Sequence, residues 1–197
     1  MFDLKDTGLS YKTATNLAIY PRNRIEDVNR FAKLYGVNIK KKFTWKVNPS
    51  WKGKNQPNTP FPIGPEGIIV KDALTTFIDL QGPVSKKLMK DMLPFCRSLE
   101  DREKVAAFTK LGDKSFDTEV VKKNLGVIDL FTVLPSLKLS TEFILQKFPT
   151  IMPRYYTIAS SSLAHPTDLS MAISLDEWKL PNGTTRQGLV SAFLQDM

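Results

Sequence analysis

Short strand-like segments lie near both ends of this 197-residue chain, and they enclose a long stretch with helical periodicity. Near the start, Phe2 and Leu4 alternate with charged residues. Residues 16–20 then form a mostly apolar run that ends at Pro21, which cannot donate a hydrogen bond to a neighbouring strand. Near the end, residues 154–159 are rich in aromatic and β-branched side chains, which favour strands. This order predicts a strand-based frame into which a helical segment is inserted.

Residues 22–148 carry apolar side chains at helical spacing. Asn23 and Glu26 predict a capping box at the start of one helix, and Gly36 is placed to end it. Ser98 predicts the start of another helix. Further helices are predicted over residues 70–80, 85–93, 120–125, 128–134 and 141–148. Because none of these helices carries paired carboxylates, a Ser-His-Asp set or a glycine-rich phosphate loop, we interpret their apolar stripes as core.

The last 45 residues return to strand-like patterns. Residues 169–175 alternate between apolar and polar side chains and predict a further strand. Asn182 and Gly183 are typical of a tight turn. Residues 188–194 predict the opening turn of a helix.

Composition excludes several classes of protein. Apolar residues make up 42% of the chain and charged residues 24%, a globular balance. No apolar run is long enough to cross a bilayer, and the first residues lack the pattern of a signal peptide. A single cysteine, Cys96, and a single histidine, His165, exclude an internal disulfide and the usual Cys/His zinc site, so we predict no metal site.

The chain carries 28 basic and 20 acidic residues, a net charge of +8. Its lysines are scattered in small clusters over the first two thirds, which is typical of a solvated surface. An acidic protein partner is the favoured specific interpretation. Nucleic acid is a weaker alternative, because the basic clusters are modest.

The segment from Arg154 to Ser161, Arg-Tyr-Tyr-Thr-Ile-Ala-Ser-Ser, combines groups suited to a ligand with a flat ring and a phosphate. A guanidinium can hold a phosphate through two hydrogen bonds, and a tyrosine offers an aromatic face. On a strand, Arg154 and Tyr156 point to one side while Tyr155 and Thr157 point to the other.

This segment resembles the Arg-x-Tyr-Ser and Ile-Ala-Ser-Ser motifs in the FAD-binding region of the diflavin reductases. His165 and Pro166 follow at the family's distance, and residues 188–191, Gly-Leu-Val-Ser, resemble its Gly-Val-x-Ser/Thr segment. Residues 16–21 are similar to its strand ending in Val-Tyr-Pro. The resemblance is strongest to the NADPH–haemoprotein (cytochrome P-450) reductases of this family.

The resemblance implies roles for particular residues. Arg154 would hold the FAD pyrophosphate, and Tyr156 would stack on the isoalloxazine ring. Thr157, where the family has serine, would place its hydroxyl near flavin N5 and O4 and is the one catalytic candidate. Trp178 would lie against the adenine. The pyrophosphate would also meet the helix start formed by Gly188, Leu189, Val190 and Ser191.

The resemblance also implies an α+β architecture. We expect an incomplete antiparallel FAD-binding β-barrel of the ferredoxin-reductase type with an inserted, all-helical connecting subdomain. Residues 1–21 would supply the first barrel strands, residues 22–148 the connecting subdomain, and residues 149–197 the remaining strands and the helix start at the pyrophosphate. The family's FMN and NADPH domains are not in this sequence, so we expect the chain to be part of a larger reductase.

As part of such an enzyme, the chain would bind FAD and serve electron transfer from NADPH through FAD to FMN and on to a haem protein. Its expected partners are an acidic flavodoxin-like FMN domain, an NADPH-binding domain and the haem protein. The expected location is cytoplasmic, with the parent enzyme held at the endoplasmic reticulum by an upstream anchor. The alternatives are a sulfite reductase flavoprotein, a nitric-oxide-synthase-like reductase, a pyruvate:NADP oxidoreductase, or a docking module without catalysis.

Overall fold

A computed structural model describes residues 1–46, 50 and 61–197. Residues 46–65 are rich in Asn, Pro, Lys and Gly, a composition that predicts a loop, and this prediction falls largely on positions 47–49 and 51–60, which lie outside the described residues. The strands are β1 (Phe2–Asp3), β2 (Asn16–Ile19), β3 (Lys42–Phe43), β4 (Ile68–Ile69), β5 (Arg154–Thr157), β6 (Asp168–Leu169), β7 (Glu177–Lys179) and β8 (Thr185–Gln187). The helices are α1 (Ile25–Tyr35), α2 (Val70–Thr76), α3 (Lys86–Met92), α4 (Leu99–Thr109), α5 (Leu130–Val133), α6 (Thr141–Lys147) and α7 (Leu189–Gln195).

The chain divides into two compact units. The strand unit comprises residues 1–21, 152–178 and 186–197. The helical unit comprises residues 22–151 and 179–185.

In the strand unit, β2 and β5 pair antiparallel although more than 130 residues separate them in the sequence. Leu17 lies opposite Tyr156 and Ile19 lies opposite Arg154, and this face of the pair is half-buried to buried. Strands β1 and β6 also pair antiparallel, with Phe2 opposite Leu169. The β2–β5 register therefore fixes which face of the pair receives the motif residues.

The hairpin of β7 and β8 closes on a tight turn. The N–H of Leu180 donates to the carbonyl of Thr184 at 2.9 Å, and Gly183 has a φ of 81°. Because an L side chain is strained in this left-handed conformation, glycine suits the position. The turn predicted from Asn182 and Gly183 is confirmed.

The helical unit has a continuous apolar core. Helices α3, α4 and α6 each begin at a serine, and Ser98 accepts a hydrogen bond from the N–H of Asp101 at 3.2 Å. Gly36 ends α1 with a φ of 65°, as the sequence predicts. Side chains that are fully buried in this unit include Phe31, Leu74, Ile78, Met89, Met92, Leu130 and Ile144.

Three local expectations are wrong. Asn23 does not cap α1, because Arg24 stands at that position and the buried Asn23 amide donates to the carbonyls of Leu74 and Ile78 at 2.7 and 2.6 Å. The strand predicted over 169–175 is limited to Asp168–Leu169. The helix predicted over 120–125 is replaced by a π-helical turn at Asp117–Val121.

The described strands form four two-stranded sheets, and the three whose register is defined are antiparallel. Together with the helices they make a mixed α+β structure, as predicted, and the described residues form no closed barrel. Across the same residues, no helix combines the length and apolar character needed to span a bilayer.

Candidate functional site

Strand β5 separates its four side chains onto two faces. Arg154 and Tyr156 are half-buried, whereas Tyr155 is 67% exposed and Thr157 is exposed. This is the alternation predicted for the segment, because successive side chains of a strand point to opposite faces. A cation and an aromatic ring therefore share one partly sheltered face.

Local hydrogen bonding positions the Arg154 guanidinium. Its Nη1 donates to the carbonyl oxygen of Met152 at 2.6 Å. This hydrogen bond to a carbonyl two residues earlier in the chain holds the planar guanidinium group in one orientation. Because a guanidinium carries five N–H donors, a second acceptor such as a phosphate can be bound at the same time.

Electrostatics link Tyr156 to two charged neighbours. Burial is the main cause that raises the pKa of the Tyr156 phenol, while the Arg154 guanidinium lowers it and the Asp176 carboxylate raises it. The phenol therefore stays neutral at physiological pH. Tyr156 therefore offers an uncharged ring whose phenol is influenced by both a basic and an acidic residue.

Asp176 connects this region to the start of α7. The N–H of Gly188 donates to the Asp176 carbonyl at 2.8 Å, and the N–H of Asp176 donates to Ser191 Oγ at 2.9 Å. A Cβ on Gly188 would lie 3.3 Å from the Asp176 Cβ, so the backbone approach is close. Two hydrogen bonds thus hold the segment before β7 against the first turn of α7.

The start of α7 presents backbone donors. Gly188 stands at the N-cap and contributes no side-chain cap to the helix. The first N–H groups of an α-helix have no acceptor within the helix, and the helix dipole favours an anion there. The Ser191 hydroxyl accepts from Asp176 and keeps its own proton to donate. This arrangement of donors fits a phosphate group.

Thr157 and Trp178 stand apart from these groups. The Thr157 hydroxyl donates to Asn16 Oδ1 at 3.3 Å on the exposed face of the β2–β5 pair, opposite to the face of Tyr156. Trp178 is half-buried on β7, and its Nε1–H is buried without a hydrogen-bond partner in the described part of the chain. The structure thus brings Arg154, Tyr156 and the α7 start into one linked region, while the Thr157 side chain faces away.

A model of the FAD binding domain matches residues 1–193. The chain belongs to the FAD-binding domain family. The family implied by the sequence motifs is therefore confirmed, and the cofactor associated with this family is FAD.

The FAD-binding domain is also similar to curated proteins. It is 26% identical to the NADPH–cytochrome P450 reductases of Candida maltosa and Saccharomyces cerevisiae, matching all of this chain and 28% of each relative. It is 24% identical to the mitochondrial pyruvate dehydrogenase [NADP(+)] of Euglena gracilis, over 97% of this chain and 10% of that protein. The chain therefore spans less than a third of the length of the relatives that it matches.

Two residues at the site were missed by sequence reasoning. Asp176, which ties the β7 side of the FAD-binding domain to α7, has no motif around it and is found only through its backbone hydrogen bonds. Asn16 is the partner of Thr157, and only the β2–β5 register brings them together. Strand pairing over such a long sequence separation leaves no local signal.

Proposed function

We propose that this chain is the FAD-binding part of an NADPH-dependent diflavin oxidoreductase of the cytochrome P450 reductase type. Such an enzyme would pass electrons from NADPH through FAD to FMN and on to a haem protein. The observation that carries the proposal is the half-buried face of β5, where Arg154 and Tyr156 lie side by side near the Asp176-linked start of α7. FAD contains both a pyrophosphate, which suits the Arg154 guanidinium, and a flat ring, which suits the Tyr156 side chain.

The donors of this region define the proposed contacts with FAD. Arg154 would bind the pyrophosphate through its guanidinium fork. Gly188, Leu189, Val190 and Ser191 would bind it through the backbone N–H groups of the helix start and the Ser191 hydroxyl. Tyr156 would stack on the isoalloxazine ring, because its phenol is neutral and its ring is held by the strand. When bound, FAD supplies the redox chemistry, and the protein supplies binding, orientation and electrostatics.

Thr157 and Trp178 have more distant roles in the proposal. Thr157 would lie near flavin N5 and O4 at the edge of the ring, while its hydroxyl lies on the exposed face of β5 and donates to Asn16 Oδ1 at 3.3 Å. The backbone of Thr157 already lies next to Tyr156. Trp178 would lie against the adenine, and its buried Nε1–H is a donor that lacks an acceptor among the described residues.

We also propose the finer architecture. Residues 1–21 and 149–197 would belong to a ferredoxin-reductase-type FAD-binding barrel, and residues 22–148 would be the inserted connecting subdomain. The division of the chain into a strand unit and a helical unit supports this assignment. The β2–β5 pairing across the whole inserted segment supports it as well.

The proposed partners are an acidic flavodoxin-like FMN domain, an NADPH-binding domain and a haem protein. The net charge of +8 supports an acidic partner through electrostatic steering. Binding to a purified FMN domain should weaken as salt is added, because salt screens exposed charges. Binding that is independent of salt would argue against this partner. We place the parent enzyme in the cytoplasm, on the cytosolic face of the endoplasmic reticulum.

A second candidate is a pyruvate:NADP oxidoreductase, favoured by the similarity to the Euglena gracilis protein. The two candidates share the FAD-binding domain and differ outside it. An immunoblot against this chain would separate them by mass. A reductase would be a few times longer than this chain, whereas the Euglena-type protein would be far longer, since the match covers only 10% of it.

Titration of the purified chain with FAD tests the proposal, with quenching of flavin fluorescence as the signal. We expect saturable binding of FAD but not of FMN. Hydrogen bonds to charged groups contribute about 1.5–3 kcal/mol, so Arg154→Ala should weaken binding by roughly tenfold or more. Arg97 is exposed in the helical unit, and Arg97→Ala serves as the control with unchanged affinity. Absence of FAD binding by the folded chain would contradict the proposal.

A further inference from the structure

The helical unit contains a cavity of about 510 Å³ that is separate from the residues proposed to bind FAD. Its walls come from α4, from residues 115–125, from Asp129 and the last residues of α5, and from the turn between β7 and β8. Small-molecule sites commonly have volumes of about 300–1,000 Å³, so this cavity has the size of a ligand site. Its apolar walls are formed by Ala107, Phe108, Leu125, Val133, Leu180 and Pro181.

The charged side chains around the cavity already have partners. Lys104 forms an ion pair with Glu100 at 2.7 Å, and Lys123 forms one with Glu119. The buried Asp129 carboxylate accepts a hydrogen bond from the N–H of Gly126 at 3.0 Å. A charged ligand would lose its hydration against these apolar walls, and the carboxylates and ammonium groups around them already have hydrogen-bond or ion-pair partners, which is unfavourable. The cavity therefore selects against charged molecules.

Two polar groups of the lining have hydrogen bonds to offer, the Asn182 amide and the buried Ser115 hydroxyl, which has no partner among the described residues. Asn182 Oδ1 accepts from both the N–H and the hydroxyl of Thr184, at 3.0 and 2.7 Å, which fixes the orientation of the amide. The Asn182 NH₂ group has no partner among the described residues. A ligand that carries a hydrogen-bond acceptor would meet an oriented donor at this position.

We propose that this cavity binds an uncharged, mostly apolar ring compound with a carbonyl group. The apolar body would contact Phe108, Leu125 and Val133, and the carbonyl oxygen would accept from the Asn182 amide. This site is independent of the FAD site, because the two sets of lining residues do not overlap.

Calorimetric titration of the full chain with three naphthalenes tests the proposal. The probes are 2-acetylnaphthalene, which is uncharged, 2-naphthoate, which is an anion, and 2-naphthylmethylammonium, which is a cation. We expect one saturable site for 2-acetylnaphthalene and at least tenfold weaker binding of both charged probes. Asn182→Ala should weaken binding of 2-acetylnaphthalene several-fold, since one hydrogen bond is lost.

Two neighbouring alanines on α4 provide a matched pair of variants. Ala107 lines the cavity, whereas Ala106 is exposed on the same helix. Ala107→Trp fills the cavity and should abolish binding, while Ala106→Trp should leave it unchanged. If Ala107→Trp loses its native circular dichroism, Val133→Trp fills the cavity from α5 instead. The proposal is overturned if the folded chain binds no probe, prefers a charged probe, or binds 2-acetylnaphthalene unchanged after the cavity is filled.

Discussion

The helical unit and the strand unit differ in how they use apolar and aromatic side chains. All twelve of the largest fully buried side chains among the described residues lie in the helical unit. In the strand unit, Tyr20, Tyr155 and Leu163 are 66%, 67% and 95% exposed. The proposed FAD contacts Arg154 and Tyr156 lie in this second, less buried unit. The comparison shows that the largest fully buried side chains are concentrated in the helical unit, whereas the proposed FAD contacts lie in the other unit.

The starts of the helices differ in side-chain capping, and α1 and α2 of the helical unit start without a side-chain cap. Ser85, Ser98 and Ser140 each accept a hydrogen bond from the first turn of a helix in the helical unit. In the strand unit, α7 starts at Gly188 with no side-chain cap. A serine cap satisfies one of the first N–H groups of a helix, whereas an uncapped start leaves all of them to other acceptors.

The largest effect is expected from the core of the helical unit. Leu130 is fully buried, and Leu130→Ala should lower the free energy of unfolding by about 2–5 kcal/mol through loss of packing and creation of a cavity. Leu111 is 99% exposed, and Leu111→Ala should change stability by less than about 0.5 kcal/mol. Urea unfolding followed by circular dichroism measures both. Equal losses of unfolding free energy in the two variants would contradict the assignment of Leu130 to the core and Leu111 to the surface.

The next effect concerns the two faces of β5. Tyr156→Ala removes the ring proposed to stack on the flavin and should weaken FAD binding by about tenfold or more. Tyr155→Ala changes the neighbouring, exposed tyrosine on the opposite face and should leave affinity nearly unchanged. Fluorescence titration of both variants with FAD provides the test. A greater loss from Tyr155→Ala would assign the flavin to the exposed face.

A smaller effect is expected from a helix cap. Ser98→Ala removes the acceptor for the Asp101 N–H and a hydrogen bond to Ser136 Oγ at 3.1 Å. The expected loss of stability is about 1 kcal/mol, measured by urea unfolding. FAD affinity of the folded variant should match that of the unchanged chain, because α4 belongs to the helical unit. A selective loss of FAD affinity would contradict the separation of core and binding roles.

The smallest effect is a dependence on pH. The backbone N–H of Glu142 is the main cause that lowers the pKa of its carboxyl, and Lys41, 3.5 Å away, lowers it further. A lowered pKa in the folded state gives stability that is present above the ordinary pKa of about 4.3 and is lost as the pH falls through the lowered value. Glu142→Gln should make the free energy of unfolding less dependent on pH in that acidic range. FAD affinity at pH 7 should remain unchanged. Unfolding curves measured from pH 3 to pH 6 provide the test. If the free energy of unfolding changes with pH equally in both proteins, the Glu142 carboxylate does not contribute to this pH dependence.

Much of the secondary structure could be predicted from local patterns. The alternation of β5, the Ser98 cap, the end of α1 at Gly36 and the turn at Gly183 each depend on a few neighbouring residues. The prediction that Asn23 caps α1 was wrong because the hydrogen bonds of Asn23 do not depend on neighbouring residues. Its amide finds acceptors at Leu74 and Ile78, more than 50 residues away, and these bonds compete successfully with a local cap.

The sequence by itself determined the family, the alternation of Arg154 and Tyr156 with their neighbours, and the order of strands and helices, because motifs and periodicity are local properties. Only the tertiary structure decided that β2 pairs with β5, that Asp176 joins the start of α7 and that Thr157 bonds to Asn16. These contacts join residues that are distant in the sequence or lie in loops without periodicity. They form because burial and hydrogen bonding are satisfied across the folded chain as a whole.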